Sequence, residues 1–335
     1  MWQIDRRLFV RAAFVIAVGA PGGCAMGPGS GPSVAPSAAV VATIPVGRPP
    51  ALLALAPDGR HVYAASNGLL TVIDATTNAV VASVKTDVNP TGIVVSPDGS
   101  RVYVADLFSN NLTTLDTSTN ALTKPVYLFV QRFRGGFGWL ALSPNGSSAY
   151  IANEINNTLV AVSLPSGQGD YVMPDVRPVD VALAPDGHTL YIAGCKPVCV
   201  PGFIELYDTA TQRLGAEIEV GGSPYRVAVA PNGARAYTTN FEAPSVSVID
   251  TAARRVVATV PVAVQPTGLA VSADSSTVWV ASQTGSALTA IDAATNQVRA
   301  RAGIPGARDV AVALDGRKVF VSGGGTVYVV DATRL

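Results

Sequence analysis

Histidine is nearly absent from this 335-residue chain, which has only His61 and His188. Charge is sparse too: charged residues make up 14%, and 23 basic side chains balance 23 acidic ones. That balance gives no global field to draw in nucleic acid or an anionic membrane surface, and no nucleic-acid partner is expected. There is no histidine cluster, no Ser-His-Asp order and no phosphate-binding loop. The chain therefore lacks the side-chain sets on which most hydrolytic, metal-assisted and nucleotide-dependent chemistry rests, so no metal and no cofactor is expected. No long amphipathic helix pattern appears either. Valine and alanine dominate, and period-two runs such as Ser245-Val246-Ser247-Val248-Ile249 predict strands.

What the chain does have is one short pattern written seven times. Each copy carries a Pro-Asp-Gly-like turn, centred on Asp58, Asp98, Asn145, Asp186, Asn232, Asp274 and Asp315. An aromatic follows five residues later, at Tyr63, Tyr103, Tyr150, Tyr191, Tyr237, Trp279 and Phe320. The turns lie 40 to 47 residues apart, a period that signals a repeat architecture built from short strands. An all-β, seven-bladed β-propeller of four-stranded blades is predicted over residues 39–335. Blades add along a ring, so the length does not require a second domain.

Residues 90–123 show how one copy makes one blade. Gly92-Ile93-Val94-Val95-Ser96 is nearly continuous in apolar character, as an inner strand A must be. Pro97-Asp98-Gly99 turns the chain, and Arg101-Val102-Tyr103-Val104-Ala105 is strand B. Strand C, Asn111 to Asp116, ends on an aspartate whose carboxylate can bond the backbone of the following turn, and Ala121-Leu122-Thr123 begins strand D. The closing aspartate recurs at Asp74, Asp208, Asp250, Asp292 and Asp331, with Ser163 in its place in blade 3. Recurrence at one structural position assigns these acids to turns rather than to catalysis. Val40-Val41-Ala42-Thr43-Ile44 matches Val80-Val81-Ala82-Ser83-Val84, whereas the last repeat stops four residues past Asp331. The first structured segment is thus a strand D without a blade of its own, predicted to complete the C-terminal blade and close the ring.

Ahead of the repeats, Arg6-Arg7-Leu8-Phe9-Val10-Arg11 resembles a twin-arginine export motif, although Asp5 stands where a hydroxyl residue is usual. The apolar run Ala12 to Ala20 is too short to span a bilayer and suits a signal segment over residues 1–23. Gly22-Gly23-Cys24 resembles a lipobox with Pro21 at its first position, and residues 24–38, rich in Gly, Pro and Ser, read as a tether. Two outcomes stay open: acylation of Cys24, which alone would place the chain on a membrane, or cleavage near Ala20 and release. Either way the expected location is extracytoplasmic, periplasmic or on the outer surface of the envelope. Export would put Cys195 and Cys199 in an oxidising compartment, where a local disulfide is their natural state. Two thiolates without a nearby histidine supply only half of a tetrahedral metal site.

Segments such as Ser96-Pro97-Asp98-Gly99-Ser100-Arg101-Val102-Tyr103-Val104-Ala105 and Val248-Ile249-Asp250-Thr251-Ala252 resemble the YVTN-repeat β-propellers, over about residues 39–335. The resemblance implies a bacterial or archaeal protein that is exported or surface-associated. It implies no single reaction, since related propellers include lactonases, lyases and subunits of cofactor-dependent dehydrogenases.

In this strand order the A–B and C–D turns share one face and the B–C and D–A connections share the other. The first face is uniform. The irregular lengths fall on the second: the connection into blade 3, with Arg132, Phe133, Arg134 and Phe137, and the B–C loop of blade 4, with both cysteines. Variable loops on a rigid scaffold point to the working face. At the starts of the inner strands, Trp139, Asp180, Tyr225, Arg226, Arg308 and Asp309 stand out against small residues elsewhere, such as Thr91-Gly92 and Thr267-Gly268. These six form a candidate channel-mouth site for a small polar or anionic ligand, or else the arginines and aspartates pair with one another as structural ion pairs. Arg132 and Arg134 are candidates for gripping a protein partner. The leading expectation is a monomeric binding or scaffold module for an envelope protein or a small polar ligand. The alternatives are a lactonase-like hydrolase using Asp180, Asp309, Glu154 and Arg226, and a periplasmic accessory subunit of a redox enzyme.

Overall fold

The computed structural model describes residues 36–46, 49, 52–106, 108–128 and 137–335. Residues 1–23, expected to be a signal segment, Cys24 and the two loop arginines, Arg132 and Arg134, lie outside the described residues. Seven antiparallel sheets follow one another along the chain. Their inner A strands are Leu52–Leu55, Pro90–Val95, Phe137–Leu142, Arg177–Leu183, Pro224–Val229, Pro266–Val271 and Asp309–Val312. Each is followed by its own B, C and D strands in order, except in blade 7, whose outermost strand is the N-terminal Val40–Pro45. That strand pairs antiparallel with Thr326–Asp331, from Val40 opposite Val330 to Pro45 opposite Thr326. The predicted closure is therefore present. Just ahead of this strand the Ser37 amide donates to the Gly303 carbonyl of blade 6 at 2.9 Å.

The core is divided among the blade interfaces. Seven separate apolar clusters are each shared by two neighbouring blades. The repeated aromatics fill them: Tyr63, Tyr103, Tyr150, Tyr191, Tyr237, Trp279 and Phe320 are all buried. An aromatic on strand B faces the neighbouring sheet, and its large buried area makes it the main contributor to each interface. Ile44 and Val46 join the cluster between blades 7 and 1, packed with Phe320, Val327, Val62 and Ile73.

The recurring aspartates at the ends of strand C cap turns, as the sequence predicts. Asp74 Oδ1 accepts from the Thr76 and Thr77 amides at 2.9 and 2.7 Å, and Asp116, Asp208 and Asp292 accept from the matching pairs. Asp250 accepts from Ala253 and Asp331 from Thr333. In the A–B turns, six glycines from Gly59 to Gly316 have φ between 68° and 75°, a conformation glycine adopts without a Cβ penalty. Ser275 takes that place in blade 6, at φ 62°.

These turns set the acid stability of the fold. Hydrogen bonds to the carboxylates hold Asp74, Asp98, Asp116, Asp208, Asp250, Asp274, Asp292 and Asp331 below the usual carboxyl range, Asp98 at about 2. A carboxyl with a lowered folded pKa contributes stability above its unfolded value and loses it as pH falls through the folded value.

Candidate functional site

The channel mouth is built by one structural position repeated in every blade. The residue opposite the second residue after each repeat aromatic is Leu52, Gly92, Asp180, Arg226, Gly268 and Asp309 in blades 1, 2, 4, 5, 6 and 7. In blade 3 it is Trp139, which immediately precedes the Leu140–Ile151 pair. A register shift just before this position, at Pro90/Gly92, Pro178/Asp180, Pro224/Arg226 and Pro266/Gly268, marks a β-bulge. A bulge re-aims the following side chain, and here it presents the conspicuous residues of different blades to one another.

Four of the six sequence candidates come together. Arg226 Nε lies 3.2 Å from Asp180 Oδ2 in the preceding blade, and its Nη1 lies 3.2 Å from Asp309 Oδ1 two blades onward. The guanidinium also sits over the Trp139 ring, 3.4 Å from its centroid. Asp180 and Asp309 are buried, and the Arg226 side chain is only 15% exposed. The two carboxylates do the same job in their blades. Asp180 Oδ2 accepts from the Val227 amide at 2.8 Å, and Asp309 Oδ2 from the Leu53 amide at 2.8 Å. Val227 and Leu53 are the equivalent residues in the next blade around the ring, so each aspartate clips its inner strand to its neighbour. Asp180 Oδ1 also accepts from the Val181 amide, so both its oxygens are acceptors.

Two carboxylates face one guanidinium, so the fully ionised group carries a net charge of −1 in a buried setting. Burial pushes both carboxyls up, Asp180 to about 6, against the opposing pull of Arg226 and the backbone donors. A carboxyl raised above its unfolded value stabilises the fold below that value and loses the contribution as pH rises through its folded pKa. For Asp180 the loss runs from the ordinary 3.8 to about 6. Combined with the turn aspartates, whose contribution is lost on acidification, this predicts a stability maximum on the acid side of neutrality. Melting curves across pH 2 to 8 should decline on both sides of it; a steady rise from pH 4 to 7 would rule out a buried net charge at this site.

The other two candidates sit apart from this group. Tyr225 occupies the bulged position before Arg226 and packs on Phe241, ring centroids 5.6 Å apart. Arg308 is exposed, and its carbonyl accepts from the Thr267 hydroxyl at 2.7 Å. Glu154, grouped with the acids in the hydrolase alternative, pairs with Arg177 at 3.6 Å, both side chains over 40% exposed. The glycines in the ring have a packing reason the sequence does not reveal. A Cβ on Gly268 would lie 2.8 Å from the Arg308 carbonyl oxygen and from Asp309 Cα, so the next blade's backbone needs that space.

On the B–C side of the blades, Cys195 and Cys199 form a disulfide. It closes a ring containing Lys196, Pro197 and Val198 in the loop between Thr189–Cys195 and Gly202–Asp208. Lys196 is held by Glu217 at 2.7 Å and lies 4.7 Å over the Phe203 ring. The five most exposed large apolar side chains among the described residues all belong to this face: Phe108, Ile155, Met173, Val198 and Val200. Phe108, Ile155 and the two valines lie in the B–C loops of blades 2, 3 and 4, and Met173 in the D–A connection between blades 3 and 4. Among the described residues no group of three or more His, Cys, Asp or Glu is arranged to hold a metal ion.

The ring is similar to that of a solved structure, Kuenenia stuttgartiensis hydrazine synthase, with a TM-score of 0.75, 19% identity and coverage of 86% of this chain and 96% of that one. At this identity the likeness speaks to the fold alone, and 1773 chains of solved structure match. No curated protein matches the sequence. The model of the YNCE-like beta-propellers matches residues 33–316, most of the ring and nearly all of its repeats, and the chain therefore belongs to the YNCE-like beta-propeller family.

Proposed function

We propose that this protein is an exported, monomeric propeller of YVTN-repeat type that binds a protein partner of the cell envelope through its B–C and D–A loops. The observation that carries this reading is the concentration of exposed apolar side chains on blades 2 to 4 of that face. Phe108, Ile155, Met173 and Val198 are each more than half exposed, while the large apolar residues elsewhere on the described surface are exposed to 50% or less. Clustered exposed apolar side chains mark interaction sites. Val198 is presented by a disulfide ring next to Pro197, which limits the ordering entropy a partner must offset. The disulfide also supports export to an oxidising compartment, with acylation of Cys24 as the proposed anchor. Arg132 and Arg134 fall, in sequence, between blades 2 and 3 and are proposed as polar contacts to the same partner.

The mutual saturation of Arg226, Asp180 and Asp309 weighs against the hydrolase alternative, because a general base must be free to take a proton from substrate. A redox accessory role is a narrower form of the binding reading, and a partner with a visible cofactor spectrum would identify it. The test is quantitative recovery of partners from detergent-solubilised membranes on immobilised wild-type protein and on the Phe108→Asp/Ile155→Asp/Val198→Asp variant. At least one abundant partner should fall by about tenfold or more, as expected when an interface loses 1.4 kcal/mol or more. Equal recovery on both columns would overturn the assignment of this face.

A further inference from the structure

The outer strand of blade 2 is unlike the others. Elsewhere strand D is continuous, as in Val80–Lys85, Arg213–Val220 and Gln297–Gly303. In blade 2, Ala121–Leu122 pairs with Asp116 and Leu115, the Thr123 amide donates to the Thr114 carbonyl at 2.9 Å, and Val126–Tyr127 pairs with Leu112 and Asn111, so the ladder is interrupted at Lys124-Pro125. Pro125 has no amide hydrogen to give to the ladder, which accounts for the break. Beside the interruption lies a cleft of about 430 Å³ between blade 2 and the C–D turn of blade 3. Its lining includes Arg101, Lys124, Tyr103, Tyr127 and Pro165. This volume lies within the range of small-molecule sites.

The two walls of the cleft are locked against each other. A Cβ on Gly167, in the blade 3 turn, would lie 1.8 Å from the Tyr127 carbonyl oxygen, so only glycine lets that turn abut blade 2 here. The cleft is thus a fixed feature of the fold rather than a gap between loose segments.

Its cations lack ion-pair contacts for a local reason. In blade 5 the equivalent of Arg101 is Arg235, which bonds to the strand-C aspartate Asp250. The second and third residues after that aspartate are Ala252 and Ala253, which offer no hydroxyls. In blade 2 the corresponding Asp116 faces Arg101 across the strands but is taken up by the Ser118 and Thr119 hydroxyls, at 2.6 and 3.2 Å. Arg101 is left with no ion-pair partner within 4.0 Å among the described residues, and so is Lys124. Two cations free of ion-pair contact stand at a cleft whose walls are Tyr103, Tyr127, Pro125 and Pro165, apolar surfaces set beside donors for an anion.

We propose that this rim cleft binds a small aromatic carboxylate, its carboxylate held by Arg101 and Lys124 and its ring against Tyr127 and Pro165. The site is separate from the loop face and does not depend on the function assigned to that face. Benzoate is the probe, titrated into the folded protein at low ionic strength and followed by calorimetry or by NMR shifts. A Kd of about 1 mM or tighter is expected. Arg101→Gln/Lys124→Gln should weaken binding at least tenfold, and Tyr127→Ala several-fold, with melting temperatures unchanged because all three side chains are exposed. Benzyl alcohol and inorganic phosphate should each bind at least tenfold more weakly than benzoate. Benzoate affinity unaltered by Arg101→Gln/Lys124→Gln, or no saturable binding up to about 10 mM, would overturn the proposal. Phosphate binding as tightly as benzoate would overturn the aromatic carboxylate and leave an unselective anion contact.

Discussion

Removal of residues 39–45 should lower the melting temperature by about 10 °C or more, although these residues form the outermost strand of one blade among seven. The strand supplies a full ladder to Thr326–Asp331, and Ile44 is buried in the cluster shared by blades 7 and 1. Burial of an isoleucine stabilises by about 1.5–3 kcal/mol, and each backbone hydrogen bond adds roughly 1 kcal/mol net. About 5 kcal/mol is therefore at stake, and each kcal/mol moves the midpoint of a domain near this size by about 2–4 °C. The deletion also bares the edge of Thr326–Asp331 and loosens the one interface where the chain's two ends meet. An exposed edge of this kind templates association, so aggregation should appear on heating. Thermal unfolding by circular dichroism, compared with the full chain, checks the result. An unchanged midpoint would mean that the strand decorates blade 7 rather than closing the ring.

Arg226→Met should destabilise the fold by about 3–5 kcal/mol at neutral pH, a large loss for one side chain lining a channel. Methionine keeps an apolar body against Trp139 but leaves Asp180 and Asp309 as two buried carboxylates with no cation between them. The cost should depend on pH in a way that distinguishes it from lost packing. Protonation removes the uncompensated charge, so the gap between variant and wild type should narrow steadily from pH 8 towards pH 5. Chemical denaturation at several pH values measures it, and a gap independent of pH would assign the loss to packing alone. Asp180→Asn should not be a silent way to neutralise the site. Both oxygens of Asp180 accept backbone N–H groups, from Val181 and Val227, and an amide would set one NH2 against an N–H donor.

The features legible in the sequence are those governed by local rules repeated seven times. The Pro-Asp-Gly turns, the aromatics of strand B, the aspartates ending strand C and the orphan first strand each stand at one place in the repeat, and each is where the pattern puts it. The channel mouth was legible only in part. Trp139, Asp180, Arg226 and Asp309 stand out by residue type, and their gathering follows from one shared position in the blade. Tyr225 and Arg308, one residue earlier, look equally conspicuous in the sequence, but Tyr225 is the bulged residue packed on Phe241 and Arg308 precedes its strand with an exposed side chain. Which acid pairs with which base depends on reach across the ring, and no local spacing encodes it. The rim cleft was hidden for a similar reason. Ala121-Leu122-Thr123 reads as an ordinary start to strand D, and the consequence of Pro125 emerges only when blade 3 packs against the break.

The central claim is a division of labour: the charged channel mouth holds blades 4, 5, 7 and 1 together, and the apolar loops of blades 2 to 4 meet the partner. Partner recovery from solubilised membranes, measured side by side on Phe108→Asp/Ile155→Asp/Val198→Asp and on Arg226→Met kept well below its melting point, tests both halves at once. The loop variant should lose the partner while keeping wild-type stability, and Arg226→Met should keep the partner while losing stability. A partner that survives the loop substitutions but is lost with Arg226 would place binding at the channel mouth and contradict the account.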